Sequence, residues 1–273
     1  MLEFKTEKIS PRITRIFGFC SELMYLVEGD QKAALLDTGS GFGSLRNAVN
    51  NLTKKPVIVL LTHGHVDHAM GAGEFDTVYM NRDDDYIYKP HGEESFRKGG
   101  MKMASVAIAD ADYIPTADVN NFQPLNDGDR FELGGASIEI YACPGHTQGS
   151  LFMLINEEKG KRFLLTGDAC NNFTFMFHDF SLSISVYEEN LKKLNKRLAG
   201  KYDYVLASHG DGSLPLDIID GVISVCADIK NGNVDDVPME FLGDKGLIAK
   251  ALTSEGNRVD GLHGNIVYNK DKI

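Results

Sequence analysis

The stretch "LLTHGHVDHAMGAG" at residues 60–73 constrains this chain more than any other feature. It places three histidines and an aspartate within six positions, directly after the continuously apolar run Pro56–Leu61. Such a run is typical of a strand that is covered on both faces. A single histidine at a strand end is usually solvated or hydrogen-bonded. Four imidazole and carboxylate groups this close together instead favour one half of a metal site, because these are the ligands that zinc-like metals accept.

The geometry of an extended segment suggests how the cluster is arranged. Alternate side chains of an extended segment share a face, so His63, His65 and Asp67 are expected to point the same way. A turn near Gly64 and the small residues that follow are expected to bring His68 round.

Three later motifs offer the missing half of such a site. "PGHTQGS" places His146 just past a strand, "LLTGDA" does the same with Asp168, and "LASHGDG" does so with His209. Functional groups commonly lie on loops held by a rigid scaffold. If these strand ends gather at one edge of the core, all seven side chains converge. The remaining candidates, His91, His178 and His263, lack this context and are interpreted as ordinary surface residues or residues that support the site.

The order of predicted elements indicates two similar halves. Short strands are predicted at Phe4–Ile9, Ile13–Phe17, Met24–Val27 and Ala33–Asp37, followed by a helix that Ser44 caps. A second set of strands follows at "SIEIYACPGHT", "LFMLI" and "FLLTGDA", and then a helix to about Leu198 with a capping box formed by Ser185 and Glu188. This repetition predicts two packed sheets with helices outside.

The halves are separated by an insertion at about 81–120, which is predicted to be a lid or to lie on the substrate side and to contain a helix at about Glu94–Ile108. Residues 211–273 are predicted to supply a helix at about Pro215–Ile229 and a final strand or hairpin. This C-terminal part is expected to complete the domain or to contribute to a homodimer. No repeat or linker is evident, so we expect one domain over 1–273.

Composition excludes several classes of partner. The chain has 28 basic and 39 acidic residues, a formal charge of -11, which is the wrong sign for a protein that neutralises nucleic-acid phosphates. No segment approaches a signal peptide or the roughly 20 apolar residues that span a bilayer. We therefore expect a cytoplasmic protein with a small-molecule substrate and no membrane or nucleic-acid partner. The four cysteines form no CxxC pair and are interpreted as reduced thiols.

Taken in order, "THGHVDH", "PGHTQGS", "TGDA" and "SHG" resemble the metal-binding motifs of the metallo-β-lactamase superfamily, and "LLDTGSG" resembles its first motif at Asp37. The resemblance implies an α/β fold, a four-layered αββα sandwich with a dinuclear centre at its edge. It implies two divalent ions, Zn²⁺ first, with Mn²⁺ or Fe²⁺ as alternatives. The implied ligands are His63, His65 and His146 for the first metal, Asp67, His68 and His209 for the second, and Asp168 as the bridge. Asp37 would orient a ligand histidine through its other ring nitrogen.

The same resemblance implies a metal-dependent hydrolase that cleaves a small ester, thioester or lactone. Two metals that share a water lower its pKa and supply hydroxide near neutral pH. Asp67 and Asp168 are the implied catalytic carboxylates, which orient that hydroxide or carry a proton. Two alternatives stay open. One is a mononuclear iron enzyme similar to persulfide dioxygenases, in which Asp67 and His209 hold no second metal, and the other is a metal-binding module without turnover.

Two features near the motifs have more than one interpretation. Cys170 lies two residues after Asp168 and is a candidate ligand or nucleophile, but a small residue packed beside the site is favoured because Asp168 already fills the bridging position. Phe173, Phe175 and Phe177 alternate, as expected either for the lining of an apolar pocket or for a half-buried core strand.

Overall fold

The first half of the chain forms one seven-stranded sheet whose strands follow the order of the sequence. The computed structural model describes residues 2–103, 107–158 and 160–273. The strands are β1 (Lys5–Lys8), β2 (Ile13–Phe17), β3 (Leu23–Glu28), β4 (Ala33–Leu36), β5 (Val57–Leu60), β6 (Val78–Met80) and β7 (Gln123–Pro124). Strands β1 to β4 are antiparallel, whereas β4 to β7 are parallel. The carboxyl ends of β4, β5 and β6 therefore meet at one edge.

Helices make the crossovers between these parallel strands. They are α1 (Leu45–Leu52), α2 (Val66–Ala69), α3 (Asp85–His91) and α4 (Glu94–Met103). Helix α1 begins where Ser44 accepts a hydrogen bond from the Asn47 amide. Short 3₁₀ turns add Met70–Glu74, Arg82–Asp84, Asp110–Asp112, Val119–Asn121 and, at the end of the chain, Lys270–Lys272.

The second sheet has six strands in the order β14-β13-β11-β10-β9-β8. They are β8 (Arg130–Glu132), β9 (Ala136–Ala142), β10 (Leu151–Glu157), β11 (Arg162–Leu165), β13 (Tyr204–Leu206) and β14 (Ser213–Leu214). Strand β10 is antiparallel to both β9 and β11, and β11 is parallel to β13, with α5 (Ile184–Leu198) between them. Strands β9, β11 and β13 consequently end at the same edge.

A third sheet of four strands was not predicted. It has the order β12-β17-β16-β15 and consists of β12 (Thr174–Met176), β15 (Val237–Phe241), β16 (Asp244–Ile248) and β17 (Ile266–Tyr268). The predicted C-terminal helix is α6 (Ile218–Asn231), which precedes this hairpin. The C-terminal strands β15, β16 and β17 thus form a sheet with β12, the strand that follows the "TGDA" motif.

The core divides into three apolar layers that separate the sheets and helices. Tyr25 and Leu36 of the first sheet pack with Ile140 and Met153 of the second. Outside them, α1 covers the first sheet, and α5 and α6 cover the second. Burial of each large apolar side chain stabilises the fold by about 1.5–3 kcal/mol. The predicted αββα sandwich is confirmed.

Two predicted helices have different ends. Helix α5 starts after Ser183, which accepts a hydrogen bond from the Val186 amide, so the capping box of Ser185 and Glu188 is wrong. Glu188 instead pairs with Lys192 and Lys230. The helix expected over Glu94–Ile108 is observed as α4, residues 104–106 of that prediction lie outside the described residues, and Ile108 is not helical.

None of the helices in the described ranges is both long enough and apolar enough to cross a membrane.

Candidate metal centre

The seven side chains expected at the site lie together at the edge where the two sheets end, in two adjacent groups. His63, His65 and His146 form the first group, and Asp67, His68, Asp168 and His209 form the second. Within each group one ligand atom per residue lies within 4.8 Å of every other. The imidazole rings of His63 and His68 are 4.1 Å apart between centroids, so the groups touch.

Asp168 lies between the two groups. Its Oδ2 is 3.4 Å from His68 Nε2 and 4.0 Å from His146 Nε2. Its Oδ1 is 3.3 Å from His209 Nε2. Asp168 is therefore placed where a bridging carboxylate is expected.

The "HGHVDH" segment is less extended than predicted. The chain is extended at His65 and then enters the short helix α2, which begins at Val66. Asp67 consequently lies with His68 and His209, and its Oδ2 is 3.7 Å and 3.6 Å from their Nε2 atoms. The expectation that His63, His65 and Asp67 share one direction is wrong, because the helical turn redirects Asp67 along with His68.

The Asp37 carboxylate supports the segment that carries His63 and His68. Its carboxylate accepts hydrogen bonds from the Thr62 amide at 2.7 Å, from the Thr62 hydroxyl at 2.8 Å and from His68 Nδ1 at 2.9 Å. Since the Thr62 proton is directed to Asp37, Thr62 Oγ1 is free to accept from His63 Nδ1 at 3.0 Å. Asp37 adopts a left-handed backbone with φ of 61°, a conformation that is uncommon outside glycine and clusters at functional sites.

Backbone carbonyls orient two more histidines in the same way. His146 Nδ1 donates to Phe175 O at 2.7 Å, and His209 Nδ1 donates to Ser21 O at 3.3 Å. With Nδ1 held by a carbonyl, the Nε2 atom of each ring is the nitrogen that faces the site.

The first group is neutral and open to a cation. Burial lowers the pKa of His63, His65 and His146. His63 Nε2 and His65 Nε2 are buried without a hydrogen-bond partner. His146 Nε2 lies 3.0 Å from His65 Nδ1, a close approach of two neutral ring nitrogens that both point at the same space. Neutral imidazoles are the form that a metal requires.

In the second group, the carboxylates raise the pKa of the two histidines. Burial opposes charge on His68, but Asp67, Asp168 and Asp37 outweigh it and raise the pKa of His68 well above its usual value. Burial acts in the same sense on His209, yet Asp168 and Asp67 raise its pKa to about 9. The carboxylates thus attract positive charge to this group. Together the two groups contain five imidazoles and two carboxylates, a donor set that suits divalent metals.

A carboxylate that the motif analysis did not identify joins the two ligand loops. Asp84 follows β6 and is fully buried. It accepts hydrogen bonds from the amides of Gly64 and Gly149, at 2.9 Å and 2.7 Å, and from the Thr147 hydroxyl at 2.8 Å. A Cβ on Gly64 or Gly149 would lie within 3.1 Å of the Asp84 side chain, which explains glycine at both positions. Asp84 comes after β6, the third of the parallel strands. The expectation that polar residues after strands gather at the sheet edge therefore contained a signal for it.

The remaining residues considered in the sequence lie in the core or on the surface. Cys170 is buried among core residues, so the interpretation as a packed small residue agrees with its position. Phe177 is buried, whereas Phe173 and Phe175 are half-buried. His263 pairs with Asp217 on the surface.

Two histidines interpreted as ordinary residues lie close to the site. The His91 ring stacks on His65 with a centroid distance of 5.1 Å, and the His178 ring stacks on Phe180, which itself contacts His65. His91 ends helix α3, so nothing in its local sequence indicated this proximity. His178 comes two residues after β12, so the interpretation that it lacks a strand-end context is wrong.

The sequence model of the metallo-beta-lactamase superfamily matches residues 17–209. This range includes every residue of the two groups. The chain therefore belongs to the metallo-beta-lactamase superfamily.

The curated relatives of this chain include proteins that are named as thioesterases. Human acyl-coenzyme A thioesterase MBLAC2 is 26% identical over 170 residues, which cover 53% of this chain and 57% of the relative. Atrochrysone carboxyl ACP thioesterase of Aspergillus terreus is 25% identical over 173 residues, covering 59% of this chain and 45% of the relative. The chain spans about half the length of the curated relatives it matches.

Solved structures support the fold. The archaeal metallo-beta-lactamase superfamily protein ST1585 from Sulfolobus tokodaii aligns with a TM-score of 0.53 at 20% identity, over 75% of this chain and 79% of that one. At this identity the similarity establishes the architecture alone.

Proposed function

We propose that this chain is a dinuclear metal-dependent hydrolase that cleaves small esters, with thioesters as the favoured substrates. The observation that carries the proposal is the adjacency of two donor groups with Asp168 between them. The thioesterase names of two relatives support the choice of thioesters over other acyl compounds.

The donor set indicates which residues would hold the ions. His63, His65 and His146 would bind one metal, and Asp67, His68 and His209 the other, with Asp168 shared. Zn²⁺ is proposed because it accepts imidazole and carboxylate together. When bound, the ions activate water near neutral pH and polarise an acyl carbonyl.

The carboxylates of the chain have different tasks in this proposal. Asp168, with 17% of its side chain exposed, lies next to histidines of both groups, His68 and His146. Asp67 is more exposed, at 31% of its side chain, and its Oδ2 faces both His68 and His209. Asp67 is thus the carboxylate best placed to pass a proton between the site and solvent or a leaving group.

Metal analysis combined with turnover tests the proposal. The purified protein is expected to bind two equivalents of zinc or manganese and to hydrolyse a thioester faster than the oxygen ester with the same acyl group. His146→Ala and Asp168→Ala are expected to lose metal and more than about 100-fold in kcat/KM, since the ions supply several kcal/mol of transition-state stabilisation.

A surface variant provides the control. His263→Ala removes a histidine from an exposed pair with Asp217 and is expected to change neither metal content nor rate. One equivalent of iron with oxygen consumption would contradict the proposal, as would full metal content without turnover on any ester or thioester.

A further inference from the structure

A row of six rings runs along the surface beside the candidate metal centre. We define this aromatic strip as Phe96, His91, Phe180, His178, Phe175 and Phe241. Successive ring centroids lie 4.4, 6.3, 4.8, 6.5 and 5.1 Å apart, so each ring contacts the next.

The rings come from separate parts of the chain. Phe96 belongs to α4 and His91 ends α3, both within the insertion. Phe175 is in β12, and Phe241 ends β15 in the C-terminal hairpin. The strip therefore joins the insertion to the C-terminal hairpin.

The strip adjoins the metal centre at its middle. The His65 ring lies 5.1 Å from His91 and 5.0 Å from Phe180 between centroids. A pocket of about 390 Å³ opens at the same place and is lined by Tyr86, Pro90, His91, Gln148 and Phe180, among others. Its volume lies within the range of small-molecule sites.

Two acidic residues lie next to the strip: Asp179 lines the pocket, and Asp244 Oδ2 lies 3.6 Å from His178 Nδ1. The strip itself presents aromatic faces. Its two ends stay open to solvent, since Phe96 and Phe241 are each 43% exposed.

We propose that the aromatic strip binds the apolar acyl chain of the substrate, so that the pocket at His91 and Phe180 takes the carbons next to the carbonyl and Phe241 contacts the distal carbons. The proposal rests on the proposed function for the position of the carbonyl at the metal centre. It adds the substrate class: acyl groups of medium to long chain length.

The contacts of the strip support this assignment over plain core packing. Core rings are covered on all sides, whereas Phe96 and Phe241 at the two ends of the strip are partly exposed, and His91 and Phe180 between them line the pocket. The backbone of the central segment is held from behind, because Lys272 Nζ donates to the Asp179 and Ser181 carbonyls and Asn269 donates to that of Phe177. The backbone that carries His178 and Phe180 is therefore held in place before a ligand binds, which reduces the entropy lost on binding.

Product binding tests the strip without requiring turnover. Isothermal titration of the purified protein with hexanoate and dodecanoate measures the contribution of six methylenes to affinity. Full burial of a methylene corresponds to about fourfold in affinity. With half of that effect realised, dodecanoate is expected to bind about 60-fold more tightly than hexanoate.

Variants locate the binding surface. Phe241→Ala is expected to weaken dodecanoate binding about tenfold and hexanoate binding less than about twofold, and Phe241→Leu is expected to restore most of the loss. Tyr204→Ala is the matched control, because Tyr204 is also 43% exposed but lies on β13, stacked on Phe163. Circular dichroism and melting temperatures establish that each variant folds.

The outcomes separate this proposal from the proposed function. Equal affinity for the two acids, or equal effects of Phe241→Ala and Tyr204→Ala, would overturn the acyl-binding strip. Affinity that depends on chain length and is weakened in Phe241→Ala supports the strip even if no ester is hydrolysed. The absence of hydrolysis would then overturn the hydrolase proposal alone.

Discussion

Replacing Asp84 tests whether the two ligand loops depend on a single buried carboxylate. In Asp84→Ala the amides of Gly64 and Gly149 lose their acceptor while they stay buried. Each unsatisfied donor costs about 1–3 kcal/mol, so the free energy of unfolding is expected to fall by about 2–6 kcal/mol. The neighbouring Asp83→Asn, at an exposed position, is the matched control and is expected to change little.

The charge of Asp84 adds a pH dependence with a definite sign. Burial raises the pKa of Asp84 from 3.8 to about 6, although its three hydrogen bonds act in the opposite direction. The folded state therefore holds this proton more tightly than the unfolded state. The resulting stability is fully present below pH 3.8 and is lost as the pH rises through 6. The total loss is about 3 kcal/mol, of which about 1.5 kcal/mol falls between pH 5 and 7.5.

Asp84→Asn has no such titration, so it isolates the effect. Urea unfolding of the metal-free wild type and Asp84→Asn proteins, followed by circular dichroism from pH 5 to 7.5, measures the difference in stability. This difference is expected to shift in favour of Asp84→Asn by about 1.5 kcal/mol as the pH rises. A difference that stays constant, or that shifts toward the wild type, would refute the reasoning.

Asp84→Ala is also expected to weaken metal binding, because Gly64 lies between His63 and His65, and Thr147 adjoins His146. Residues that orient metal ligands typically contribute 10–100-fold in affinity, and competition with a chromogenic chelator measures the change for Asp84→Ala. Unchanged metal affinity with reduced stability would show that Asp84 supports the fold and not the site.

Two further substitutions distinguish support from ligation. Asp37→Asn preserves a residue that tolerates the left-handed backbone but removes the charge facing His68, so metal affinity in the chelator assay is expected to fall about 10–100-fold. Burial raises the pKa of the Cys170 thiol well above its usual value, so native-state alkylation should be slow. Cys170→Ala should retain metal content and activity, and loss of a metal equivalent would make Cys170 a ligand.

The positions of the seven clustered residues followed from one rule about sheets. His63, His146, Asp168 and His209 were each recognised because a polar residue came directly after an apolar strand. Parallel strands bring such positions to one edge whatever the details of packing. The rule uses local sequence alone. It therefore identified which residues gather at the sheet edge but did not give the direction of the Asp67 side chain.

Tertiary contacts decided the features that were missed. Strands β15 and β16 form a hairpin whose sequences, "VPMEF" and "DKGLI", contain a proline and exposed charges in place of clean alternation. The cap of α5 was assigned two residues too late, because Glu188 has the spacing of a capping box but pairs with Lys192 and Lys230 instead. The aromatic strip joins distant segments, and no local pattern marks His91, at the end of a helix, as a neighbour of the site.

Buried carboxylates explain how the ligand groups can gather before a metal binds. Asp84 joins the loops after β5 and β9. Glu22 is likewise buried and accepts from the Cys20 amide and from the amide and hydroxyl of Ser40, while its backbone bridges to His209. Asp37 joins the loops after β4 and β5. Each of these carboxylates accepts three hydrogen bonds from loops that carry or flank ligands, so folding itself holds the histidine nitrogens toward one focus. A metal would then meet a preorganised site, and we expect its affinity to depend on these three carboxylates, none of which belongs to the two donor groups.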